Sequence, residues 1–504
     1  MEGQRTHILS KSGFIRGTQC LKSLYLHRFS PGLRDEPGPR LRAVFGAGIR
    51  VGLLARELFH DGEEPFAREG GGPFNADDIV AAVARTAELV DSGIPAIYEA
   101  AFLHDGVLCF MDIIARRDGG WHAFEVKSST RVTDTFLLDA ALQNHVIEGS
   151  GTALVGVSII HLNRDYVRRG PVRPEALFVV RPVTERVRAM RDAVAGNILR
   201  MKEALDGGSE PDIQIGEHCF SPYRCDFMGH CWKDVPPDSV FDIARLPKRE
   251  MFALYRSGIT RLGDVPAGHP LSPAQRLQVR CHATGEAHID REWLRGFVDA
   301  VRWPAVFMDF ESFMPAVPLF EGDRPYQQVP FQYSVHVQSG PGAEPEHREF
   351  LAGAEGDPRR EFIDRLLADT GGDGSIIVYN RAFEEGVLRD MARIFPDLRD
   401  AIGRRISRLC DLMVPFREMR VYVPAMKGRC SIKNVLPALV PGSGYDQLAV
   451  SDGFQALAAY ERLREERDIE AVARIRRELL EYCAMDSLAM VKLLERLMDE
   501  AGPR

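Results

Sequence analysis

Residues 107–127 read VLCFMDIIARRDGGWHAFEVK, a pattern that predicts two strands joined by a short turn. The first strand carries Asp112, and the returning strand carries Glu125 and Lys127. Side chains two residues apart on a strand point to the same face, so Glu125 and Lys127 should project together. A turn at residues 116–120 would then bring Asp112 beside Glu125. The sequence therefore predicts a hairpin with two carboxylates and a lysine on one face.

This set of side chains suits the hydrolysis of a phosphodiester by a divalent cation, which polarises the phosphoryl oxygen and activates a water molecule. Asp112 and Glu125 offer the oxygen ligands that Mg²⁺ or Mn²⁺ prefers. Lys127 can orient the water or neutralise charge on the phosphate. Glu99, on the preceding predicted strand, is a further acid, and Gln143, on the next predicted helix, can contact a metal-bound water. An exposed cross-strand ion pair is the alternative interpretation of Glu125 and Lys127.

The order of acid, hairpin, Glu-Val-Lys and Gln-bearing helix resembles the PD-(D/E)-x-K nuclease superfamily, specifically its RecB branch. The resemblance covers roughly residues 9–235. It implies a restriction-endonuclease-like fold and a metal-dependent nuclease. The RecB pattern places a metal-binding His on an early helix after a Gly-rich start, and here Val51 occupies about that position.

Four of the nine cysteines form a further pattern. Cys219, Cys225 and Cys231 follow one another with five residues between each pair, and Cys20 lies far upstream. This layout resembles that of iron–sulfur RecB-type nucleases, which include the CRISPR-associated RecB-like exonucleases and the AddB helicase-nuclease subunit. The resemblance implies a [4Fe–4S] cluster on four thiolates. A Zn²⁺ site with four cysteine ligands is the alternative, although zinc sites more often use C-x2-C pairs.

A second group of acids lies in the C-terminal part of the chain. Asp309 and Glu311 stand two residues apart on the strand predicted at 306–310, and Glu384 follows another apolar strand. Tyr482 and Asp486 stand four residues apart, on one face of a predicted helix. Four acids and a tyrosine suit two-metal phosphodiester hydrolysis, in which two ions about 3.5–4 Å apart hold the attacking and leaving oxygens.

This group resembles the DnaQ-like 3′–5′ exonucleases of the RNase H-like fold, in their tyrosine-bearing branch. Asp309 and Glu311 match the first motif, and Tyr482 with Asp486 match the third. Glu384 falls in the second motif, where the family has Asp. The segment SIKNVL at 431–436 resembles the S-L-K segment between the second and third motifs. The pairing of both modules resembles a bacterial domain family of unassigned function.

The chain of 504 residues is too long for a single core, and we predict an α/β protein in three regions. A restriction-endonuclease-like domain spans 1–235, a helical linker spans 236–303, and an RNase H-like domain spans 304–504. The linker has a helix–Gly–helix pattern around Gly258 that resembles a helix-hairpin-helix. The first ten residues of the chain lack the apolar core of a signal peptide, and no apolar run in the sequence is long enough to span a membrane. We therefore expect a cytoplasmic protein without a membrane partner.

The net charge of −8 argues weakly against a protein that coats nucleic acid, but acidic metal sites are compatible with a nuclease. The leading hypothesis is a Mg²⁺- or Mn²⁺-dependent nuclease that acts on single-stranded or end-bearing DNA, in repair or mobile-element defence. An RNA-processing exonuclease is one alternative. A non-catalytic nucleic-acid-binding scaffold with decayed sites is another, and Val51 and Glu384 are the residues that favour it.

Overall fold

The structure is a computed structural model that describes residues 7–36, 39–65, 75–445 and 447–502, without the side chains of 39–45 and 47. The chain is mixed α/β and divides into two compact units. The first unit comprises Met1–Asp234 and Pro315–Gln327, and the second comprises Val235–Met314 and Gln328–Arg504. The predicted linker at 236–303 thus falls in the second unit, and a short part of the predicted C-terminal domain falls in the first.

The first unit contains a mixed seven-stranded sheet in its described part. Its strands are β1 (Leu9–Ser10), β2 (Gly62–Glu63), β3 (Ala96–His104), β4 (Val107–Arg117), β5 (Gly120–Lys127), β6 (Leu154–Leu162) and β7 (Phe178–Pro182). The order is β2-β3-β4-β5-β6-β7, and β1 pairs in parallel with β4. Strands β3, β4 and β5 form an antiparallel meander, and β5 then pairs in parallel with β6. The predicted hairpin at 107–127 is therefore present as β4 and β5.

The helices of the first unit are α1 (Lys11–Gln19), α2 (Leu21–Phe29), α3 (Pro39–Arg56), α4 (Ala76–Ser92), α5 (Asp134–Gly149), α6 (Pro174–Leu177), α7 (Thr184–Arg188), α8 (Arg191–Asp206) and α9 (Met228–Cys231). The apolar spacing of residues 9–27 predicts a single helix, but the structure has two, separated at Cys20. Cys20 ends α1 with an extended backbone, φ −163° and ψ 117°, and its N–H donates to the carbonyl of Arg16. This break leaves Cys20 at a junction between two helices.

Two apolar clusters stabilise the first unit. The larger one joins α1, α5 and α8 to one face of the sheet, through side chains such as Leu142 and Ile198. The smaller cluster contains Val51 and Phe124, and Ala316 with Tyr326 packs in the same cluster. These apolar contacts are the physical reason why residues 315–327 belong to the first unit rather than to the predicted C-terminal domain.

The second unit is built on a five-stranded sheet in the order β11-β10-β9-β12-β13. The strands of this sheet are β9 (Ala305–Phe313), β10 (Val329–Gln338), β11 (Glu346–Leu351), β12 (Ile376–Val378) and β13 (Leu409–Asp411). Two further strands, β8 (His288–Ile289) and β14 (Val421–Tyr422), form a separate pair. The helices of the second unit are α10 (Lys248–Arg256), α11 (Pro273–Thr284), α12 (Arg291–Asp299), α13 (Arg359–Asp369), α14 (Arg381–Ile394), α15 (Arg399–Ile406), α16 (Val414–Arg417), α17 (Ile432–Leu439), α18 (Gly453–Glu465) and α19 (Ile469–Ala501). The long α19 packs on β9 and β10, which brings its buried side chains against the central strand.

The region around Gly258 differs from the predicted helix–Gly–helix pattern. Helix α10 ends before Gly258, which has φ +88°, but the next element is a three-residue 3₁₀ helix, Leu262–Asp264, rather than an α-helix. Pro266 follows closely, and proline disfavours a helical backbone in the residue before it. In the described part of the chain, no helix is both long and apolar enough to cross a membrane.

Candidate active sites

Glu125 is the centre of the candidate site in the first unit. Its Oε1 accepts hydrogen bonds from Lys127 Nζ at 2.5 Å and from Lys11 Nζ at 3.0 Å. Its Oε2 accepts one from Gln143 Nε2 at 2.6 Å. The side chain is fully buried, so the exposed cross-strand pair considered for Glu125 and Lys127 does not describe this carboxylate. The structure therefore places Glu125 in a buried site with two lysines and Gln143.

Two further acids face the same lysines. The antiparallel register pairs Ile113 with Phe124, and its continuation sets Asp112 opposite Glu125. Asp112 Oδ2 accepts the backbone N–H of Val126 at 2.6 Å. Asp139, on α5, accepts from Lys127 Nζ at 2.5 Å.

Sequence reasoning missed Asp139 and Lys11. Asp139 lies four residues before Gln143, so the two share a helix face, and this spacing could have found it. Lys11 has no comparable signal, because 114 residues separate it from Glu125.

The charges of this site largely offset one another. Burial and the charge of Glu125 raise the pKa of Asp112 to about 7. Burial alone would also raise the pKa of Glu125, but the nearby Lys11 and Lys127 ammonium groups outweigh it and hold that pKa below its usual range. The same carboxylates, Glu125 first, raise the pKa of Lys127 despite its burial. Glu125 and both lysines are therefore charged near neutral pH.

Glu99 lies at the rim of this site. The β3–β4 register sets it opposite Asp112, and its side chain is 43% exposed. Its Oε1 accepts a hydrogen bond from Arg56 of α3 at 3.2 Å, and burial raises its pKa. Glu99 has φ +49°, a conformation that non-glycine residues rarely adopt and that often marks a functional site. Val51, where the RecB pattern has a His, is fully buried in the apolar cluster and offers no ligand atom.

Two buried oxygens at this site have no hydrogen-bond partner in the described part of the chain. They are Asp139 Oδ1 and Gln143 Oε1. Buried polar atoms are nearly always paired, so such atoms usually have a water or an ion as partner. With the carboxylates of Asp112 and Glu125, they line the site with oxygen atoms, the ligand atoms that Mg²⁺ and Mn²⁺ prefer.

The three cysteines of the C-x5-C-x5-C pattern and Cys20 line one cavity in the first unit, together with side chains such as His218 and Trp232. Cys219 and Cys225 are linked by a backbone hydrogen bond of 2.8 Å from Cys225 N to Cys219 O. Burial raises the pKa of Cys20, and it raises that of Cys231 to about 11. Without a bound cation, these two thiols are therefore protonated at neutral pH.

The spacing of these sulfur atoms distinguishes two kinds of metal site. A zinc ion with Zn–S bonds of about 2.3 Å holds its four sulfurs about 3.8 Å apart. No three of the four sulfur atoms lie within 4.8 Å of one another; in the described residues only the acidic group of the second unit meets that limit. The four sulfurs are therefore not gathered as closely as the four ligands of one zinc ion.

Three acids meet in the second unit. Asp309, Glu311 and Asp486 each offer a carboxylate oxygen, and these oxygens lie within 4.8 Å of one another. Strand β9 projects Asp309 and Glu311 from one face, and α19, which packs on that face, supplies Asp486. Cys483, also on α19, makes a sulfur contact of 3.7 Å with Asp309 Oδ2.

Two tyrosines and a lysine surround this acidic group. Tyr445 Oη donates to Asp486 Oδ1 at 2.5 Å. Lys433 Nζ donates to Tyr482 Oη at 3.1 Å and lies 4.8 Å from the centre of that ring. Lys433 belongs to the segment that resembled S-L-K. Tyr445 was not predicted, because it lies in a loop with no periodic pattern.

Burial and neighbouring acids raise the pKa values of Asp309 and Glu311. Burial is the largest cause for each of them, and the charge of Asp486 is the next for Asp309 and Glu311. The pKa of Asp309 is well above its usual value, and that of Glu311 is about 8. Burial and the charges of Asp486 and Glu311 also raise the pKa of Tyr482, which keeps its hydroxyl protonated.

Glu384 stands somewhat apart from the three acids. It is 1% exposed, near the start of α14, and it does not belong to the group whose oxygens lie within 4.8 Å. Its Oε2 has no hydrogen-bond partner among the described residues, and burial raises its pKa to about 8. Its charge nevertheless contributes to the raised pKa of Asp309, so it faces the same site.

The comparisons with known proteins assign no activity to these sites. Residues 306–431 match the model of a domain of unknown function, DUF2779. An uncharacterized protein of Ureaplasma parvum serovar 3, UU173, is 25% identical over 224 residues. That match covers 39% of this chain and 32% of the relative. The chain is thus similar to proteins whose function is not given by their names.

Proposed function

We propose that this protein is a Mg²⁺- or Mn²⁺-dependent nuclease that hydrolyses phosphodiester bonds in DNA, with one candidate catalytic site in each unit. The observation that carries the proposal is the buried acidic group Asp309, Glu311 and Asp486, whose oxygens converge within 4.8 Å beside Tyr482. Three buried carboxylates at such a distance repel one another, and divalent cations relieve that repulsion. DNA repair and mobile-element defence are the contexts we propose for this activity.

In the second unit, we assign the DnaQ-like variant of the RNase H-like fold. Asp309, Glu311 and Asp486 would hold the metal, and Glu384, whose Oε2 has no partner among the described residues, would be an additional ligand. A bound divalent cation supplies an activated water and stabilises charge on the phosphate. The protonated hydroxyl of Tyr482 would orient the attacking water.

In the first unit, we assign a PD-(D/E)-x-K nuclease of the RecB type. Asp112 and Glu125 would hold the metal, and Gln143 holds Glu125 in place through its 2.6 Å hydrogen bond. Lys127 neutralises charge on the scissile phosphate. Glu99 at the rim and the buried Asp139 complete the acidic lining of this site.

We assign a [4Fe–4S] cluster to Cys20, Cys219, Cys225 and Cys231. Iron–sulfur clusters are held by four cysteine thiolates, and the four cysteines that line one cavity supply that number. The cluster would connect the N-terminal helices to the segment 219–231.

The nuclease proposal is tested by cleavage of end-labelled single-stranded DNA, with a matched RNA strand, in the presence of Mn²⁺. We expect the wild-type protein to cleave DNA into two distinct sets of products. Lys127→Ala should reduce the formation of one set at least a hundredfold, and Asp309→Ala should reduce the other set as strongly. Lys202→Ala and Asp364→Ala, which replace exposed ion-pair residues, are the matched controls. Preferential cleavage of RNA would favour the RNA-processing alternative. Nucleic-acid binding without any cleavage would overturn the proposal in favour of a scaffold.

The cluster proposal is tested by anaerobic purification followed by assays of iron and acid-labile sulfide. We expect about four of each per chain, and a loss of both in Cys225→Ser. Cys281→Ser, which changes a buried cysteine of the second unit, is the matched control. A protein with zinc in place of iron, or with neither metal, would overturn the assignment.

A further inference from the structure

Helix α1 reaches both candidate sites of the first unit. Lys11 is its first residue, and Cys20 directly follows its last residue, Gln19. At 1.5 Å per residue, the helix is about 13 Å long. Its N-terminal end contacts Glu125, and its C-terminal end leads into the cavity that the four cysteines line. The position of Lys11 therefore depends on the same helix as the position of Cys20.

Lys11 is placed where helix electrostatics disfavours it. Ser10 caps α1 by accepting the N–H of Gly13 at 3.0 Å, so Lys11 occupies the first turn. The positive end of the helix dipole lies there, and it repels a cation. Local helix stability does not explain a lysine at this position. The contacts of Lys11 Nζ with Glu125 at 3.0 Å and with Asp139 at 3.8 Å explain why a lysine is found there.

The other end of α1 is attached to the cysteine segment. Arg16 forms a paired hydrogen bond with Asp226, at 2.5 Å to Oδ1 and 2.9 Å to Oδ2. Gln19 Nε2 donates to the carbonyls of His218 and Tyr223, both at 2.7 Å. A bidentate Arg–carboxylate pair has a defined geometry, so these contacts hold the helix in a set orientation.

Two ammonium groups share one oxygen of Glu125. Lys127 Nζ lies 2.5 Å from Glu125 Oε1 and 2.5 Å from Asp139 Oδ2, and Lys11 Nζ lies at 3.0 and 3.8 Å from the same atoms. A divalent cation that binds Glu125 cannot share this oxygen with both ammonium groups. Lys11 has the longer contacts, so it is the group that would leave.

We propose that Lys11 is a second lysine of this carboxylate site, which α1 and the cysteine segment hold against Glu125 and Asp139 until a divalent cation displaces it. Lys11 is thus a positioning residue that keeps the carboxylates in place in the metal-free protein and competes with the metal. This inference rests on the proposed metal site of the first unit. It goes beyond that site in assigning a competing cation and the helix that delivers it.

The test is Mn²⁺ binding measured by calorimetry, in an Asp309→Asn, Asp486→Asn background that removes the acidic group of the second unit. Lys11→Met should lower the Mn²⁺ dissociation constant by roughly tenfold or more, because a nearby positive charge opposes the metal. Lys202→Met is the matched control, since Lys202 is also 29% exposed and paired with an aspartate of the first unit. It should leave the constant unchanged. Lys11→Gln has the same expected direction and serves if Lys11→Met does not fold.

A second variant tests whether α1 holds Lys11 against the carboxylates. Asp226→Asn weakens the contact with Arg16, so it should also strengthen Mn²⁺ binding, by a few-fold. In the Lys11→Met protein the same change should have no further effect, because both act through Lys11. If the starting protein binds Mn²⁺ and Lys11→Met leaves the affinity equal or weaker, the inference is overturned and the metal site stands. If the starting protein binds no Mn²⁺, both the metal site and the inference are overturned.

Discussion

The carboxylates of the first unit lie among lysines, whereas those of the second lie mainly among one another. Glu125 contacts two ammonium groups, and its pKa is below the usual range. Asp309 and Glu311 face Asp486, and their pKa values are raised. Both sites bury acids, but in the first two ammonium groups contact the carboxylates directly, whereas in the second Lys433 contacts Tyr482 rather than an acid. The second therefore depends more strongly on protons or on a divalent cation for its stability.

The largest expected effect is at Glu125. Glu125→Gln leaves Lys11 and Lys127 without their shared carboxylate, and breaking a buried ion pair in this way costs about 3–5 kcal/mol. We expect the first unit to lose about that much stability in EDTA at pH 7, measured by hydrogen exchange resolved to its peptides. Glu88→Gln, which changes an exposed ion pair of the same unit, should shift it by less than about 1 kcal/mol. Equal losses in both variants would contradict the comparison.

The corresponding substitution in the second unit should raise the stability of the metal-free unit instead of lowering it. Asp309→Asn removes one of the mutually repelling acids, so we expect the metal-free second unit to gain about 1–2 kcal/mol at pH 8. The same variant should lose the stabilisation that Mn²⁺ gives to the wild-type unit. Thermal unfolding with and without Mn²⁺ measures both. A metal-free Asp309→Asn protein that is less stable than wild type would show that this acid is paired after all.

The pH dependence should also differ between the units. The folded-state pKa values of Glu311 and Glu384 are about 8, above the usual 4.5, so the folded state holds extra protons between these values. By linkage, the metal-free second unit loses stability as the pH rises from about 4.5 to about 8. In the first unit, Glu125 with its lowered pKa contributes the opposite dependence at lower pH, and Asp112 contributes a loss of stability that ends near its pKa of about 7. Hydrogen exchange across this pH range in EDTA measures the stability of each unit. Saturating Mn²⁺ should make the stability of the second unit nearly independent of pH.

The smallest effect concerns Tyr445, which donates to Asp486 at 2.5 Å. Tyr445→Phe removes this hydrogen bond, so the metal-free second unit should lose about 1 kcal/mol. Mn²⁺ should then bind a few-fold more weakly, because Asp486 is held less firmly. Tyr460→Phe, which loses a bond to the carbonyl of Gly353 outside the acidic group, is the control and should not alter metal affinity. An unchanged affinity in Tyr445→Phe would show that the metal does not need this tyrosine.

Local patterns predicted much of each site. The two-residue spacing of Glu125 and Lys127, and that of Asp309 and Glu311, predicted which side chains share a strand face. The helical spacing of Tyr482 and Asp486 predicted their common face on α19, and both face the acids of β9. The strands and helices that carry these residues are close to those expected, because strong apolar periodicity runs through them. Breaks such as the one at Cys20 were missed, because no glycine or proline marks it.

The sequence by itself determined which residues share a face and which segments carry acids, lysines and cysteines. The tertiary structure decided which of these meet. It placed Lys11 on Glu125 across 114 residues, set Glu384 outside the closest acidic group, and put Val51 in an apolar core. It also decided the charge states, since burial and neighbours lower the pKa of Glu125 and raise that of Glu311. Periodicity acts within one element, whereas burial and electrostatic interactions depend on how distant elements pack.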